Sequence, residues 1–372
     1  MEVLTPHFNS KNTITIVFSP DNKYIKYFSV ALQSLIENAN TDYFYNIIVF
    51  EKDISDRNKN ILNRILPKNF YIDFVNVSEH FQNYLPDASL YSKNYWSESM
   101  FYRILIPAIL QNFEKVLYID SDVCITSDLV ELFKIDFDDK SLLAVQDSAS
   151  PIIALNKSRY IHLTDILNLK DPSLYFNSGV LLFNINKIKT HLNNYLEDLI
   201  SGLKNGNLLF PDQDLLNIVF ENKVKLISGK WNCMYDSWIF NSDNYKKCLS
   251  TKDYNTWLEN REKPCIIHYT SSLKPWIYPD KDKAEIFWQY ARKSPFYEEI
   301  IFENLEIKSR NSNKAEIEGI IRNVAYRYRI YAQYLRCKIL KALTFGKTKK
   351  HYTEKSNKLK QQVKNYRKIL GE

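Results

Sequence analysis

The sequence predicts an α/β protein with a mostly parallel central sheet, helices on both of its faces, and a basic helical tail at the C-terminal end. Three observations predict it. Short β-rich apolar runs alternate with amphipathic helical patterns through the first part of the chain. Beyond about residue 275 that alternation stops and long helical stripes replace it. Charge divides in the same way: residues 308–372 hold 18 lysines and arginines against 4 acidic residues, whereas 1–307 hold 32 against 39, so the net +7 describes neither part.

Each element follows in order. Ile14-Thr15-Ile16-Val17-Phe18 reads as a buried strand, and Ile25, Phe28, Leu32 and Leu35 then recur at helical spacing. Ile47-Ile48-Val49-Phe50 is the next strand. A helix near 55–66, a strand near 71–77 and a helix near 97–112 precede Val116-Leu117-Tyr118-Ile119. Strands separated by helices pair in parallel, because only a crossover connection returns the chain in the same direction. In the tail, Ile317, Ile321, Val324, Tyr328, Tyr331, Leu335, Ile339 and Ala342 trace one face of a long helix, and a weaker stripe follows in Leu359, Val363, Tyr366 and Leu370.

Composition excludes several classes. At 372 residues, 45% hydrophobic and 25% charged, the chain can bury one large core or two. It holds only seven glycines, the first at Gly179, so no G-x-G-x-x-G turn or Walker loop exists in its N-terminal half. Five cysteines (Cys124, Cys233, Cys248, Cys265, Cys337) include no C-x-x-C pair and fit free thiols in a reducing compartment. No signal-peptide layout opens the sequence, and no uncharged apolar run approaches the ~20 residues of a spanning helix. A cytosolic location is expected.

Parallel α/β sheets carry their ligand sites at the carboxyl ends of strands, so the polar residues after Phe18, Ile119 and Val145 come first. Asp120-Ser121-Asp122 closes a buried strand, and two carboxylates one residue apart can hold a divalent ion that bridges to a diphosphate. The same spacing recurs at Asp136/Asp138, Asp212/Asp214 and Asp280/Asp282, where a solvated turn explains it equally well. His268 closes the apolar run Cys265-Ile266-Ile267; it reads either as a structural imidazole or as a third ligand, suited with two carboxylates to Mn2+ and, less well, Mg2+. Lys274 beyond it reads as a surface lysine or a phosphate partner. In Ser19-Pro20-Asp21-Asn22-Lys23-Tyr24, Asp21 can accept from a base or ribose and Tyr24 can stack on a base, or the segment is a turn and helix cap. Phe210-Pro211-Asp212-Gln213-Asp214-Leu215 reads as a helix start.

In this order, the segments Val17–Asp21, Lys115–Val123, Tyr175–Asn184, Pro211–Asn217 and His268–Trp276 resemble the family 8 glycosyltransferases, the group that contains bacterial lipopolysaccharide galactosyl- and glucosyltransferases and glycogenin. The resemblance spans about residues 13–276. It implies a GT-A type nucleotide-sugar-binding fold that binds a UDP-hexose with Mn2+ and transfers the sugar with retention. It implies Asp120, Asp122 and His268 as metal ligands, Asp21 and Tyr24 at the uracil beside Ser19, and Arg103 and Asp147 at the donor sugar. Asn177, Ser178, Asp212 and Gln213 would complete that sugar pocket. Ser121 would be a further substrate-binding residue, Ser271 would lie near the diphosphate, and Lys274 would grip it. Asp212, Gln213 and Asp214 are the candidate catalytic groups; an amide is a poor nucleophile, so attack from the leaving group's own face is favoured over a covalent intermediate. Lys23, Ser271 and Pro20 depart from the family pattern of asparagine, glycine and a small residue.

The expected organisation is thus a catalytic domain over 1–276, a connecting helical region over 277–312 and a basic amphipathic tail over 313–372. Family members acting on lipid-linked acceptors end in similar segments, so the tail is expected to meet an anionic membrane surface on the inner, cytoplasmic side. The expected reaction moves galactose or glucose from a UDP-sugar to lipooligosaccharide or lipopolysaccharide, with a capsular or protein-linked glycan as the rival acceptor. Two further readings stay open: a nucleic-acid-binding protein working through the basic tail, and a binding protein on a non-catalytic transferase scaffold. The acidic body argues against the former, and no nucleic-acid partner is expected.

Overall fold

The structure, a computed structural model, describes residues 4–84, 98–204, 207–235, 242–270, 272–311, 333, 335–343 and 346–369. Ser271 and most of the expected first tail helix lie outside the described residues. The chain divides into two compact units, Met1–Ile301 and Phe302–Glu372.

The first unit is built on a seven-stranded sheet. Its strands are β1 (Thr13–Phe18), β2 (Phe44–Glu51), β3 (Phe70–Asn76), β4 (Lys115–Ile119), β6 (Leu142–Gln146), β7 (Phe176–Asn184) and β8 (Val224–Ile227), in the order β3-β2-β1-β4-β7-β6-β8. Pairing is parallel except on the two sides of β7, which runs antiparallel to both β4 and β6. A mostly parallel sheet is therefore present, as expected. Its strands are covered on both faces, which is why β1 and β2 read as nearly unbroken apolar runs. Ile14, Ile16 and Phe18 face one core with Phe28, Leu32 and Leu35 of the helix Ile25–Asn38, while Val17, Ile48 and Phe50 face a second core with Leu181 and Phe183. The helix Asp56–Arg64 follows, with Ser55 as N-cap accepting from the Asn58 amide.

A smaller sheet holds β5 (Val123–Ile125), β9 (Cys233–Met234) and β10 (Ile266–His268) in the order β5-β10-β9. It exists because the chain turns back immediately after Asp122. β10 pairs antiparallel with β5, setting His268 opposite Val123, and parallel with β9, setting His268 beside Met234. A separate bond from the Tyr269 amide to the Asp122 carbonyl, 3.0 Å, fixes the register at the site.

One expectation is modified. The segment near 97–112 is not one α-helix: Glu98–Leu105 is a 3-10 helix, followed by a single α-helical turn, Ile106–Ile109, entered through Pro107. The tighter winding accompanies burial of Phe101, Tyr102, Arg103, Ile104 and Leu105 together, which leaves no solvent stripe for an amphipathic α-helix. Residues 277–301, expected as a connector, fall within the first unit, because Phe287, Ala291, Phe296 and Ile300 are buried in its cores. In the second unit, 335–343 and Gly346–Ile369 are helical, with Cys337 and Leu359 buried. Among the described residues no helix is long and apolar enough to cross a membrane.

Candidate active site

The site forms where β4 ends. Ile119 pairs with Val180 on the antiparallel β7, and the Asp120 amide donates to the Gly179 carbonyl at 2.8 Å. That register sets Asn177-Ser178-Gly179 beside Asp120-Ser121-Asp122, while β10 delivers His268 from the other sheet. His268 Nε2 lies 3.5 Å from Asp120 Oδ2 and 3.3 Å from Asp122 Oδ1. Among the described residues these three form the one group of Asp, Glu, His and Cys side chains disposed to hold a metal, with ligand atoms within 4.8 Å of one another. Gly179 makes the approach possible: a Cβ there would stand 2.2 Å from His268 Cε1 and 2.9 Å from Asp120 Oδ2.

A hydrogen-bond chain fixes which face His268 presents. The Gly179 amide must donate, so its partner at 2.9 Å, the Asn177 side chain, presents its oxygen. Asn232 therefore turns its nitrogen toward that oxygen (2.8 Å) and its own oxygen toward His268 Nδ1 (2.8 Å). Nδ1 carries the proton, and in the neutral ring Nε2 turns a lone pair to the two carboxylates. This is the outer support that ligating histidines ordinarily have. Two carboxylates and one such imidazole form a donor set that fits a hard or borderline divalent ion. Asn232 was missed in the sequence, where Lys230-Trp231-Asn232-Cys233 carries no spacing signal.

Arg103 organises the opposite side. Its guanidinium reaches Asp120 Oδ1 at 2.8 Å, Asp212 Oδ2 at 3.3 Å, and the carbonyl and hydroxyl of Ser178 at 2.8 and 3.1 Å. Burial works against its charge, but Asp120, Tyr118 and Asp212 outweigh that and raise its pKa above the ordinary value. Asp212 shows the converse: burial raises its pKa, with Arg103 opposing. Asp122 is half-buried, and although its desolvation acts the other way, Lys274 and His268 hold its carboxyl below the usual range; Lys274 Nζ contacts it directly and also donates to the Tyr269 carbonyl. Tyr118, missed as a site residue, donates its hydroxyl to Asp120 Oδ1 at 2.7 Å and meets the Ser19 hydroxyl at 2.9 Å, so one buried side chain joins the ends of β1 and β4.

Asn177, Ser178, Asp147 and Gln213 form one connected group. The Ser178 amide and Asn177 Nδ2 donate to Gln213 Oε1 at 3.1 and 3.0 Å, which turns Gln213 Nε2 toward Asp147 Oδ2, 3.2 Å away. Ser178 Oγ donates to Asp212 at 2.9 Å. Asp212 and Gln213 sit in the first turn of the helix Pro211–Val219, where Pro211 supplies the starting geometry and acidic side chains suit the helix dipole. At the other end, Asp21 Oδ1 accepts from the Tyr24 amide at 2.8 Å, and Tyr24 meets Tyr27 and Trp276 edge-on, with those two stacked 3.8 Å apart. Ser121 is half-buried between the two aspartates, and Ser271 lies outside the described residues.

Asp214, the third of the expected catalytic groups, has partners of its own. It is fully buried, and its oxygens are taken by the Tyr175 hydroxyl (2.5 Å), His162 Nε2 (2.9 Å) and the amides of Leu209 and Phe210 (2.8 and 3.1 Å). Four groups engage the carboxylate, and two of them are the amides that lead into the helix Pro211–Val219, a contact set that suits an anchor for the helix start. No motif in the sequence linked His162 or Tyr175 to it.

Comparison with known proteins bears on the family and the fold. A family model described as "Glycosyl transferase family 8" matches residues 15–280. Glycosyltransferase GlyB of Streptococcus pneumoniae is 30% identical over 287 residues, covering 75% of this chain and 62% of that protein, so the chain spans about three fifths of its length. A lipopolysaccharide 1,2-glucosyltransferase of Escherichia coli is 26% identical over 279 residues, covering 72% of this chain and 74% of that one. The galactosyltransferase LgtC, solved with donor and acceptor sugar analogues, superposes with a TM-score of 0.58 at 25% identity, covering 76% of this chain and 96% of that one.

Proposed function

From the premise that this chain belongs to glycosyl transferase family 8, we propose that it is a retaining, divalent-metal-dependent transferase that moves a hexose, galactose or glucose, from a UDP-sugar to a hydroxyl of a bacterial cell-surface glycan. The observation that carries this reading is the convergence of Asp120, Asp122 and His268 Nε2 beside the Arg103–Asp212–Gln213 group. Asp120, Asp122 and His268 would hold Mn2+ or Mg2+. When bound, such an ion supplies positive charge for the departing diphosphate. Lys274 adds an ammonium at the same place, where negative charge develops as the sugar–phosphate bond breaks. Asp21 and Tyr24 would meet the uracil, and Asp147, Asn177 and Ser178 the hydroxyls of the donor sugar.

Retention is what the family resemblance implies, and the state of the buried groups bears on the route to it. Asp214 is saturated by four donors, Asp212 is paired to Arg103 and Ser178, and Gln213 Oε1 already accepts two N–H groups. None is an unencumbered nucleophile, which supports attack by the acceptor hydroxyl on the leaving group's face. Asp212 and Gln213 then stabilise positive charge at the anomeric carbon. The acceptor we favour is lipooligosaccharide or lipopolysaccharide, in line with the lipopolysaccharide glucosyltransferase relative. The helix Gly346–Ile369 carries nine lysines and arginines against one glutamate. We place it on the anionic inner face of the cytoplasmic membrane, where each basic residue contributes on the order of 1 kcal/mol.

UDP release from a panel of UDP-sugars, with Mn2+ or EDTA and with Asp120→Ala beside wild type, tests the reading. Turnover of one sugar nucleotide that needs both metal and Asp120 supports it. Folded protein that releases no UDP, even with lipid-linked oligosaccharide extract added, rejects it in favour of a non-catalytic scaffold.

A further inference from the structure

A cavity of about 400 Å3 adjoins the donor group on the side of Asp147. Asp147 and Asn232 form its near wall, and the helices Ser242–Cys248 and Thr251–Glu262 form its far wall. The near wall belongs to the site already described: Asp147 Oδ2 accepts from Gln213 Nε2 at 3.2 Å, and Asn232 supports His268. Anything held here therefore lies one side chain away from the groups proposed to meet the donor sugar.

The far wall is aromatic: Trp257 stacks on Tyr245 and, within its own helix, on Tyr254. The helix Thr251–Glu262 buries none of its residues, yet Trp257 faces the cavity half-buried. Trp257 stacks on the fully buried Tyr245, ring centroids 4.4 Å apart and planes within 18°. The Tyr245 hydroxyl donates to the Ser148 carbonyl, which ties this aromatic wall to the loop carrying Asp147. Asn260 and Thr256 stand beside Trp257 with amide and hydroxyl groups. An aromatic face next to hydrogen-bonding side chains suits a pyranose, which has an apolar C–H face and a rim of hydroxyls.

Charge narrows the class further. Asp147 and Asp253 both line the cavity. The Arg261 guanidinium is spread over the rings of Tyr235 and Trp257 and pairs with Asp282 at 3.1 Å, so its charge is already balanced. A phosphorylated or uronic sugar would meet net negative charge there; a neutral one would not.

We propose that this cavity is the acceptor subsite and that it takes a neutral pyranose of the growing glycan against Trp257. The proposal rests on the transferase reading of the donor site. It makes Trp257 an acceptor-binding residue with no part in holding the donor.

The test compares full-length wild type, Trp257→Ala and Trp257→Phe in two measurements. Saturation-transfer NMR with lactose, maltose and glucose 6-phosphate reads binding directly, whether or not the protein turns over. Hydrolysis of the UDP-sugar by water, without acceptor, reads the donor half alone. We expect signals from a neutral sugar with wild type, none from glucose 6-phosphate, and affinity lowered at least about tenfold in Trp257→Ala and less in Trp257→Phe. Donor hydrolysis should stay within about twofold. Wild type that binds neither neutral sugar, or binds them equally well without Trp257, overturns the proposal. So does a Trp257→Ala protein that loses donor hydrolysis, since the cavity would then serve the donor. Sugar binding that depends on Trp257 in a protein that releases no UDP even with lipid-linked oligosaccharide extract added would instead overturn the transferase reading and leave a neutral-sugar site standing.

Discussion

Asn232 accepts the Nδ1 proton of His268 at 2.8 Å, and through that bond the amide of Gly179, two residues further along the chain of contacts, determines which imidazole nitrogen faces Asp120 and Asp122. Replacing Asn232 by Ala removes the acceptor and frees the ring to rotate or change tautomer. Affinity for Mn2+, read by calorimetric titration, is expected to fall by about 10–100-fold. An unchanged affinity would show that the two carboxylates position the ion without the imidazole.

Gly179→Ala tests the close approach itself. The added Cβ would meet His268 Cε1 at 2.2 Å and Asp120 Oδ2 at 2.9 Å, so either the imidazole or the β4–β7 register has to move. Metal affinity and UDP release are expected to fall together, each by at least about tenfold. Far-UV circular dichroism should keep its wild-type shape, since the sheet's other pairs are untouched. Wild-type metal affinity in Gly179→Ala would mean that the ligands tolerate a displacement this packing forbids.

Tyr118→Phe removes one hydroxyl and leaves the ring under Arg103, whose guanidinium carbon lies 4.7 Å from the ring centroid. Asp120 loses a donor at 2.7 Å and Ser19 a partner at 2.9 Å. Because the hydroxyl touches both ends of the proposed donor site, UDP affinity measured with and without Mn2+ is expected to weaken in both conditions, by about three- to tenfold. An effect confined to the metal-loaded protein would restrict Tyr118 to Asp120 alone.

What was legible in the sequence follows from the range of the forces involved. β1, β2 and the helix Ile25–Asn38 were readable because burial on both faces leaves a local record in residue spacing. The convergence of Asp120, Asp122 and His268 was legible only through the family resemblance, since spacing and strand end alone left a solvated turn and a structural imidazole open. The antiparallel insertion of β7 between β4 and β6 was not, because pairing partners of a continuous apolar run are chosen by tertiary contact and leave no periodicity. The same holds for Asn232 and for the His162–Asp214–Tyr175 cluster: each is assembled from separate elements, and a lone Asn or His on a strand or helix carries no signature of its partner. The 97–112 segment misled because its apolar spacing suits an α-helix, whereas Arg103 had to be drawn inside to meet Asp120 and Asp212.

Asp212 and Asp214 share one helical turn, yet they are expected to separate cleanly by experiment. Asp214 is an acceptor for four buried donors; Asn in its place turns an NH2 group toward some of them and leaves at least two unsatisfied. At about 1–3 kcal/mol for each unpaired group, Asp214→Asn should lower Tm by about 5 °C or more. Asp212→Asn keeps an oxygen for Ser178 and Arg103 and removes only the charge, so its Tm should shift much less while UDP-sugar turnover falls by at least about tenfold. Thermal melts and initial rates on the two variants decide the matter. An Asp214→Asn protein that melts like wild type but has lost turnover would return Asp214 to the reacting centre, and the anchoring role assigned to it would be wrong.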